Sequence, residues 1–150
     1  MALPGDVPEE PYEVPIGKAN ILREGDGLTI VAFGRMIHEA TKAAEQLAGE
    51  GVSVEVIDPL WLQPLDTDTI ISSVTKTHRA MVVHEAVRFG GLGAEIAAQI
   101  SELAFDSLDA PVGRVAAPFS PVPFSPILEQ TYVPNAERIA DEARRILGLG

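Results

Sequence analysis

The chain has 150 residues, 46% of them hydrophobic, which is enough to bury the core of one domain. Its 22 acidic and 11 basic residues give a net charge of −11, which argues against nonspecific binding to nucleic-acid phosphates. The sequence has no cysteine, which excludes disulfides, thiolate catalysis and Cys-type metal sites. With no apolar run of membrane-spanning length, we expect a cytoplasmic protein without nucleic-acid or membrane partners.

Residues 1–20 form a proline-rich, acidic arm that contains Pro4, Pro8, Pro11 and Pro15. Proline fixes φ and removes a backbone donor, so we expect this arm to be extended and nonhelical. The arm therefore predicts a linker over residues 1–20 and a folded domain over residues 21–150.

Strands and helices alternate from Leu28 onward. Apolar, mostly β-branched runs predict strands over residues 28–33, 52–57, 80–84 and 112–116. Helical spacing of apolar residues predicts helices over 36–47, from Asp66 to about 74, from the glycines near 91 to about 105, and from Asn135 to the end. The third helix should bury one face made of Ala94, Ile96, Ala97, Ile100, Leu103 and Ala104. This alternation predicts an α/β fold with three layers, α/β/α, around a mostly parallel sheet.

The segment MVVHEAVRFGGLGAEIAAQI, residues 81–100, is the best candidate for a functional region. Its apolar run ends in His84 and Glu85, and Gly90, Gly91 and Gly93 lead into a helix. Ligands and partners of open α/β sheets meet the carboxyl ends of the strands, where helix starts also offer free N–H groups. Two interpretations stay open, a structural or interface turn and an anion- or nucleotide-binding loop, because the spacing is not G-x-G-x-x-G.

Catalytic machinery is not evident from the residues. His84 and Glu85 could form an acid–base pair, but successive strand side chains point to opposite faces. Gly25-Asp26-Gly27 is similar to the start of the magnesium motif of thiamine diphosphate enzymes, yet the paired asparagines that should follow are missing. We therefore expect no catalytic, cofactor-binding or metal-binding residues in this chain.

Four segments together resemble one family: 14–40, 51–70, 78–100 and 108–139, the last reading LDAPVGRVAAPFSPVPFSPILEQTYVPNAERI. They resemble the C-terminal domain of the beta subunit of thiamine-dependent 2-oxo acid dehydrogenases, of the pyruvate, branched-chain or acetoin type. That domain belongs to the transketolase C-terminal domain superfamily, so the resemblance implies the same three-layer fold.

The resemblance also implies what the domain does. In the intact enzyme, thiamine diphosphate and Mg²⁺ would be held by the alpha subunit and by an N-terminal domain of the beta subunit. We expect no cofactor on this chain alone, and we expect the chain to be a piece of a longer protein. Its implied partners are the alpha subunit, a second beta subunit and the small basic subunit-binding domain of the dihydrolipoyl acyltransferase. The implied function is assembly and docking in an enzyme that decarboxylates a 2-oxo acid oxidatively and acylates lipoyl groups reductively.

Particular residues carry these implied contacts. Asp109, with Asp106 one turn earlier, is the candidate for acyltransferase docking, although Asp109 could equally be an ordinary turn residue before Pro111. The candidate subunit interface is the turn that follows the third strand, with His84, Glu85, Phe89, Gly90, Gly91 and Leu92. The alternative function is a free-standing regulatory domain that binds a nucleotide or anion at the Gly90–Gly93 helix start.

One departure from the family pattern lies after the fourth predicted strand. The family commonly has a G-x-D-x-P-x-P loop there, whereas this chain has Ala117-Pro118-Phe119-Ser120-Pro121-Val122-Pro123. The acid of that loop is missing, so any contact that the family makes through it is in doubt here.

Overall fold

The structure is a computed structural model that describes residues 8–149, so Pro4 of the predicted linker lies outside the described residues. Within that range the strands are β1 Asn20–Arg23, β2 Leu28–Ala32, β3 Val54–Asp58, β4 Ala80–Val87 and β5 Gly113–Ala117. The helices are α1 Met36–Ala48, α2 Thr67–Thr77, α3 Leu92–Leu103, α4 Pro126–Tyr132 and α5 Ala136–Leu147, with a 3-10 turn at Phe105–Ser107. Among these described residues, no helix is both long and apolar enough to cross a bilayer.

The five strands form one sheet in the order β1-β3-β2-β4-β5. β2, β3, β4 and β5 pair in parallel, and β1 is an antiparallel edge strand on β3. The predicted three-layer fold with a mostly parallel sheet is therefore confirmed.

Helices cover both faces of the sheet. Ile30 of β2 packs in a cluster with α1 and α5, and the next residue, Val31, packs in a second cluster with α2 and α3. A strand that is buried on both faces reads as a continuous apolar run, which is why β2 could be predicted. The predicted apolar face of the first helix is fully buried: Met36, Ala40, Ala43, Ala44 and Leu47.

Two predicted helix starts are confirmed by their capping bonds. The Asp66 carboxylate accepts a hydrogen bond from the Thr69 N–H at 3.3 Å, and it also accepts one from Ala19 N–H at 3.0 Å. Burial alone would raise the pKa of Asp66, but these donors outweigh it and hold that pKa below its usual range. Asn135 caps α5 by accepting from the Arg138 N–H at 3.0 Å.

Two elements were not predicted, β1 and α4. The side chains of β1 are mostly exposed and its pairing with β3 contains a bulge, so it has no alternating apolar pattern. α4 lies in the segment that the prolines marked as a loop, but Pro126 occupies its first turn, where proline is tolerated. Only Tyr132 of α4 is buried, and its hydroxyl donates to the Ser120 carbonyl at 2.9 Å.

Two details of the third βα unit were predicted wrongly. β4 continues to Val87 instead of ending at His84, because β5 remains paired with it through Val87 and Ala117. Leu103 is 58% exposed, whereas Ile100 and Ala104 are buried. The buried face of α3 and its C-terminal end contains Ile96, Ile100 and Ala104, which are spaced four residues apart. Leu103 therefore lies outside this face.

Candidate functional site

His84 lies inside the protein, between β4 and the start of α3. Its side chain is 1% exposed, and its ring stacks on Phe33 with the ring centroids 5.6 Å apart and an interplanar angle of 4°. A methyl group at Gly93 would lie 2.2 Å from Cδ2 and 2.3 Å from Nε2 of this imidazole. The histidine ring therefore occupies the space that a side chain at Gly93 would need.

The neighbouring glycines also serve chain packing. A Cβ at Gly91 would lie 2.4 Å from the Val87 carbonyl oxygen and 2.8 Å from Cε1 of His84. Gly90 adopts a φ of +68°, which residues with a side chain rarely adopt. These contacts favour the structural interpretation of the glycine turn over the anion-binding one.

His84 and Glu85 do not act together. The His84 ring is enclosed by the chain, whereas the next side chain, Glu85, is exposed on the other side of the strand. This confirms the expectation from strand geometry and leaves no shared proton path between the two groups. Of the residues in the predicted subunit interface, His84 is buried, whereas Glu85, Phe89 and Leu92 are exposed.

Burial governs the protonation of His84. Among the described residues neither ring nitrogen has a hydrogen-bond partner, so the charged imidazolium would be poorly solvated. Burial lowers the pKa of His84; the Ala86 backbone next to the ring opposes part of this shift, and the positive charge of Arg114 adds to it. His84 is therefore neutral at physiological pH.

The substitution Gly93→Ala tests the packing of His84. In an ordinary helix this change stabilises the fold by roughly 0.5–1 kcal/mol. Here we expect a loss of about 1–3 kcal/mol in the free energy of unfolding, because the new methyl group overlaps the ring. Urea denaturation of Gly93→Ala, His84→Ala and the double variant measures the coupling between them. Additive effects in this cycle would contradict the proposed contact.

The lowered pKa of His84 predicts a dependence of stability on pH. The unfolded chain takes up the His84 proton near the ordinary value of 6.5, and the folded chain takes it up at lower pH. Stability should thus be full above pH 6.5 and fall as pH drops toward the lowered value, by at most about 1.4 kcal/mol per pH unit. Urea denaturation between pH 7.5 and 5 should show a shallower decline for His84→Asn, which retains the exposed His38 and His78. Equal slopes for the two proteins would argue against a buried neutral His84.

Asp109 lies at the opposite end of the sheet, where strands β4 and β5 begin. It is 55% exposed, its carboxylate is 3.3 Å from Nη2 of Arg79, and its N–H donates to the His78 carbonyl at 2.8 Å. Asp106 is exposed in the adjacent 3-10 turn. Asp109 thus has a structural role in its turn and also keeps one side toward solvent.

An apolar groove of about 710 Å³ runs beside Asp109. The alanines of α3 and the exposed ring of Phe105 line it, together with the charged side chains of Asp109 and Arg114. Sequence reasoning found the aspartate but missed the groove, because its lining comes from α3, the 3-10 turn and the start of β5.

The candidate interface turn meets the proline-rich loop. Phe89 is 74% exposed, and its ring contacts that of Phe119 edge to face at 5.2 Å. Exposed apolar side chains continue beyond Phe119 through Val122, Phe124, Ile127 and Leu128. We call this set the apolar edge. Single exposed apolar residues are normal on a protein surface, but this set contains six of them in two neighbouring segments. Exposed apolar patches of this kind mark interaction sites.

Three arginines line a second pocket next to Phe89. Arg88, Arg114 and Arg138 surround a space of about 690 Å³, which we call the arginine pocket. They are 26 and 24 residues apart in the sequence, so no local pattern could have associated them.

The Gly25-Asp26-Gly27 segment does not fit a magnesium site. Its backbone packs on the start of β3, where the Asp26 N–H donates to Ser53 Oγ at 3.3 Å and a Cβ at Gly25 would lie 2.2 Å from the Val54 carbonyl carbon. Magnesium requires several oxygen ligands in octahedral geometry, and residues 8–149 contain no cluster of three or more His, Asp or Glu side chains that could hold a metal ion. The segment is therefore a structural turn.

Comparison with known proteins places this geometry in context. The family model of the transketolase C-terminal domain matches residues 17–139. Subunit beta of acetoin:2,6-dichlorophenolindophenol oxidoreductase from Bacillus subtilis is 44% identical over 96% of this chain and 42% of its own length. The pyruvate dehydrogenase E1 component subunits beta of Staphylococcus epidermidis and Staphylococcus aureus are 47% and 49% identical, each over 95% of this chain and 43% of their own.

A solved structure described as split gene transketolase, inactive beta4 tetramer, matches with a TM-score of 0.80 and 28% identity, over 92% of this chain and 45% of that one. These findings confirm the resemblance that the four sequence segments indicated. The chain spans less than half the length of the curated relatives that it matches.

Proposed function

Because the chain belongs to the transketolase C-terminal domain family, we propose that it is the assembly and docking domain of the beta subunit of a thiamine diphosphate-dependent 2-oxo acid dehydrogenase. The observation that carries this proposal is the 44–49% identity to acetoin and pyruvate dehydrogenase beta subunits over nearly the whole chain. The parent enzyme would decarboxylate its substrate oxidatively and transfer the acyl group to lipoyl groups, with thiamine diphosphate bound outside the residues described here. The names of the relatives favour pyruvate or acetoin over a branched-chain substrate.

We assign the docking of the acyltransferase to the groove beside Asp109. The basic subunit-binding domain of the acyltransferase would place a lysine or arginine against Asp109, and it would place apolar side chains along the alanines of α3. The net charge of −11 favours a basic partner and speeds its approach. Asp109 is already 3.3 Å from Arg79, so the incoming cation would share or replace this internal pair.

Binding of the acyltransferase domain tests this assignment. In calorimetric titrations we expect Asp109→Ala to weaken binding about tenfold and to reduce its dependence on salt, because a charge pair is lost at the rim of the interface. Glu45→Ala on α1, which removes the same charge from the other face of the sheet, is the matched control. Unchanged affinity and salt dependence for Asp109→Ala would show that Asp109 is only a turn residue.

The apolar edge, with the turn from Glu85 to Leu92 beside it, is the proposed surface for other subunits. Its phenylalanines lie beyond the carboxyl ends of β4 and β5, whereas Asp109 of the groove lies before β5. The transketolase structure that matches this fold is described as a beta4 tetramer. We infer a corresponding contact between copies of the present chain. The same edge would receive the alpha subunit in the whole enzyme.

Variants of two equally exposed phenylalanines test the two surfaces independently. Phe89 and Phe105 are each 74% exposed, at opposite ends of the sheet. In sedimentation equilibrium we expect Phe89→Ser to weaken self-association at least tenfold, because a large apolar side chain leaves the contact. Phe105→Ser should leave self-association intact and instead weaken acyltransferase binding. A monomer at high micromolar concentration for the unmodified chain would exclude this contact.

A further inference from the structure

The arginine pocket is formed by side chains from three separate elements beside β5. Arg88 follows β4, and its N–H donates to the Ala117 carbonyl at 2.9 Å. Arg114 belongs to β5, and Arg138 in the first turn of α5 donates from Nη2 to the Ala116 carbonyl at 3.1 Å. The fold thus brings three cationic side chains to one opening.

These arginines have no acidic partner among residues 8–149. The other arginine ion pairs are Arg79 with Asp109 and the pairs of the α5 residues Arg144 and Arg145. The nearest acids on α5 are engaged there, Asp141 with Arg144 at 2.7 Å and Glu142 with Arg145 at 2.8 Å. Three of the eight arginines of the chain share a pocket whose own lining has no carboxylate, and the same three line an adjoining cleft with Asp141 and Glu142.

The proline-rich loop contributes no carboxylate to the arginine pocket. In the G-x-D-x-P-x-P pattern the aspartate position corresponds to Phe119, and Phe119 lines the arginine pocket. A carboxylate at this place would neutralise the arginines from within the chain. Since the chain has a phenylalanine instead, the positive charge of the pocket is left for a ligand.

The shape and chemistry of the pocket indicate the class of ligand. Its volume of about 690 Å³ lies within the range of small-molecule sites. Arginine binds phosphate oxygens in bidentate geometry, and clustered like charges gain most from a ligand with two or more negative charges. The Thr131 side chain and the Phe89–Phe119 ring pair complete the lining.

We propose that the arginine pocket binds a phosphorylated small molecule that carries a planar ring. Its phosphate contacts Arg88, Arg114 and Arg138, and its ring packs against the side of the Phe89–Phe119 pair that lines the pocket, so this ligand would compete with the subunit contact proposed for the apolar edge. This site is distinct from the start of α3, where His84 and the glycines fill the space. It depends on neither acyltransferase docking nor the activity of a parent enzyme.

Titration calorimetry with the 150-residue chain tests the proposal at low ionic strength. We use inorganic phosphate, pyrophosphate and adenosine monophosphate as probes, and expect both pyrophosphate and adenosine monophosphate to bind at least fivefold more tightly than phosphate. Arg88→Gln and Arg114→Gln should each weaken pyrophosphate binding about tenfold, since each removes charge-assisted hydrogen bonds. Arg35→Gln, an exposed arginine on the α1 side, should leave it unchanged. No binding by the unmodified chain, or equal losses for Arg35→Gln, would overturn the site, and equal affinities for phosphate and adenosine monophosphate would overturn the ring contact.

A second pair of variants separates charge from shape. Phe119→Asp should abolish pyrophosphate binding, because the new carboxylate neutralises the arginines, and Phe119→Asn of similar size should retain it within about threefold. Circular dichroism spectra verify that both variants fold. If Phe119→Asn loses pyrophosphate binding as completely as Phe119→Asp, the arginine charge is not what the pocket uses and the proposal is wrong.

Discussion

The close contact between the His84 ring and the first turn of α3 is the constraint on which the carboxyl end of this domain depends. The ring lies between Phe33, which follows β2, and the Gly93 backbone, so it connects the central strand to the helix. With the helix start fixed this way, the intervening turn has to pass outward through Gly90 in a left-handed conformation. This outward path exposes Phe89 beside Phe119 and orients Arg88 toward the arginine pocket. The enclosed His84 ring thus lies beneath the turn that carries Arg88 and Phe89.

The domain uses its two ends for different partners. The amino end carries Asp109, its ion pair with Arg79 and an apolar groove, and the carboxyl end carries the apolar edge and the arginine pocket. Three of the eleven basic residues share the arginine pocket, and most of the others form ion pairs elsewhere on the domain. Burial would raise the pKa of the Glu55 carboxyl, but the hydrogen bond from the exposed Lys76 helps to hold that pKa below its usual range. The two sites are not fully separate, because Arg114 lines both the groove beside Asp109 and the arginine pocket.

The sequence was sufficient for most of the fold because the central strands are buried on both faces and the helices follow an apolar period. Asp66 and Asn135 could be predicted as helix caps because a cap accepts a hydrogen bond from the backbone N–H three residues later in the sequence. β1 and α4 could not be found this way, since β1 is defined only by its pairing with β3 and α4 buries only Tyr132. The extension of β4 to Val87 likewise depends on pairing with Ala117 of β5, which the sequence of β4 alone does not predict.

For the candidate sites, the sequence by itself determined where function should be sought: a turn after the third predicted strand, an acid before the fourth and a proline loop that lacks its aspartate. It also determined that His84 and Glu85 point apart, because side chains alternate along any strand. Only the tertiary structure decided that His84 is enclosed, that Asp109 stands beside a groove and that Arg88, Arg114 and Arg138 share a pocket. The physical reason is that burial, grooves and charge clusters are made by residues from separate elements, whose distances are set by packing and not by their spacing along the chain.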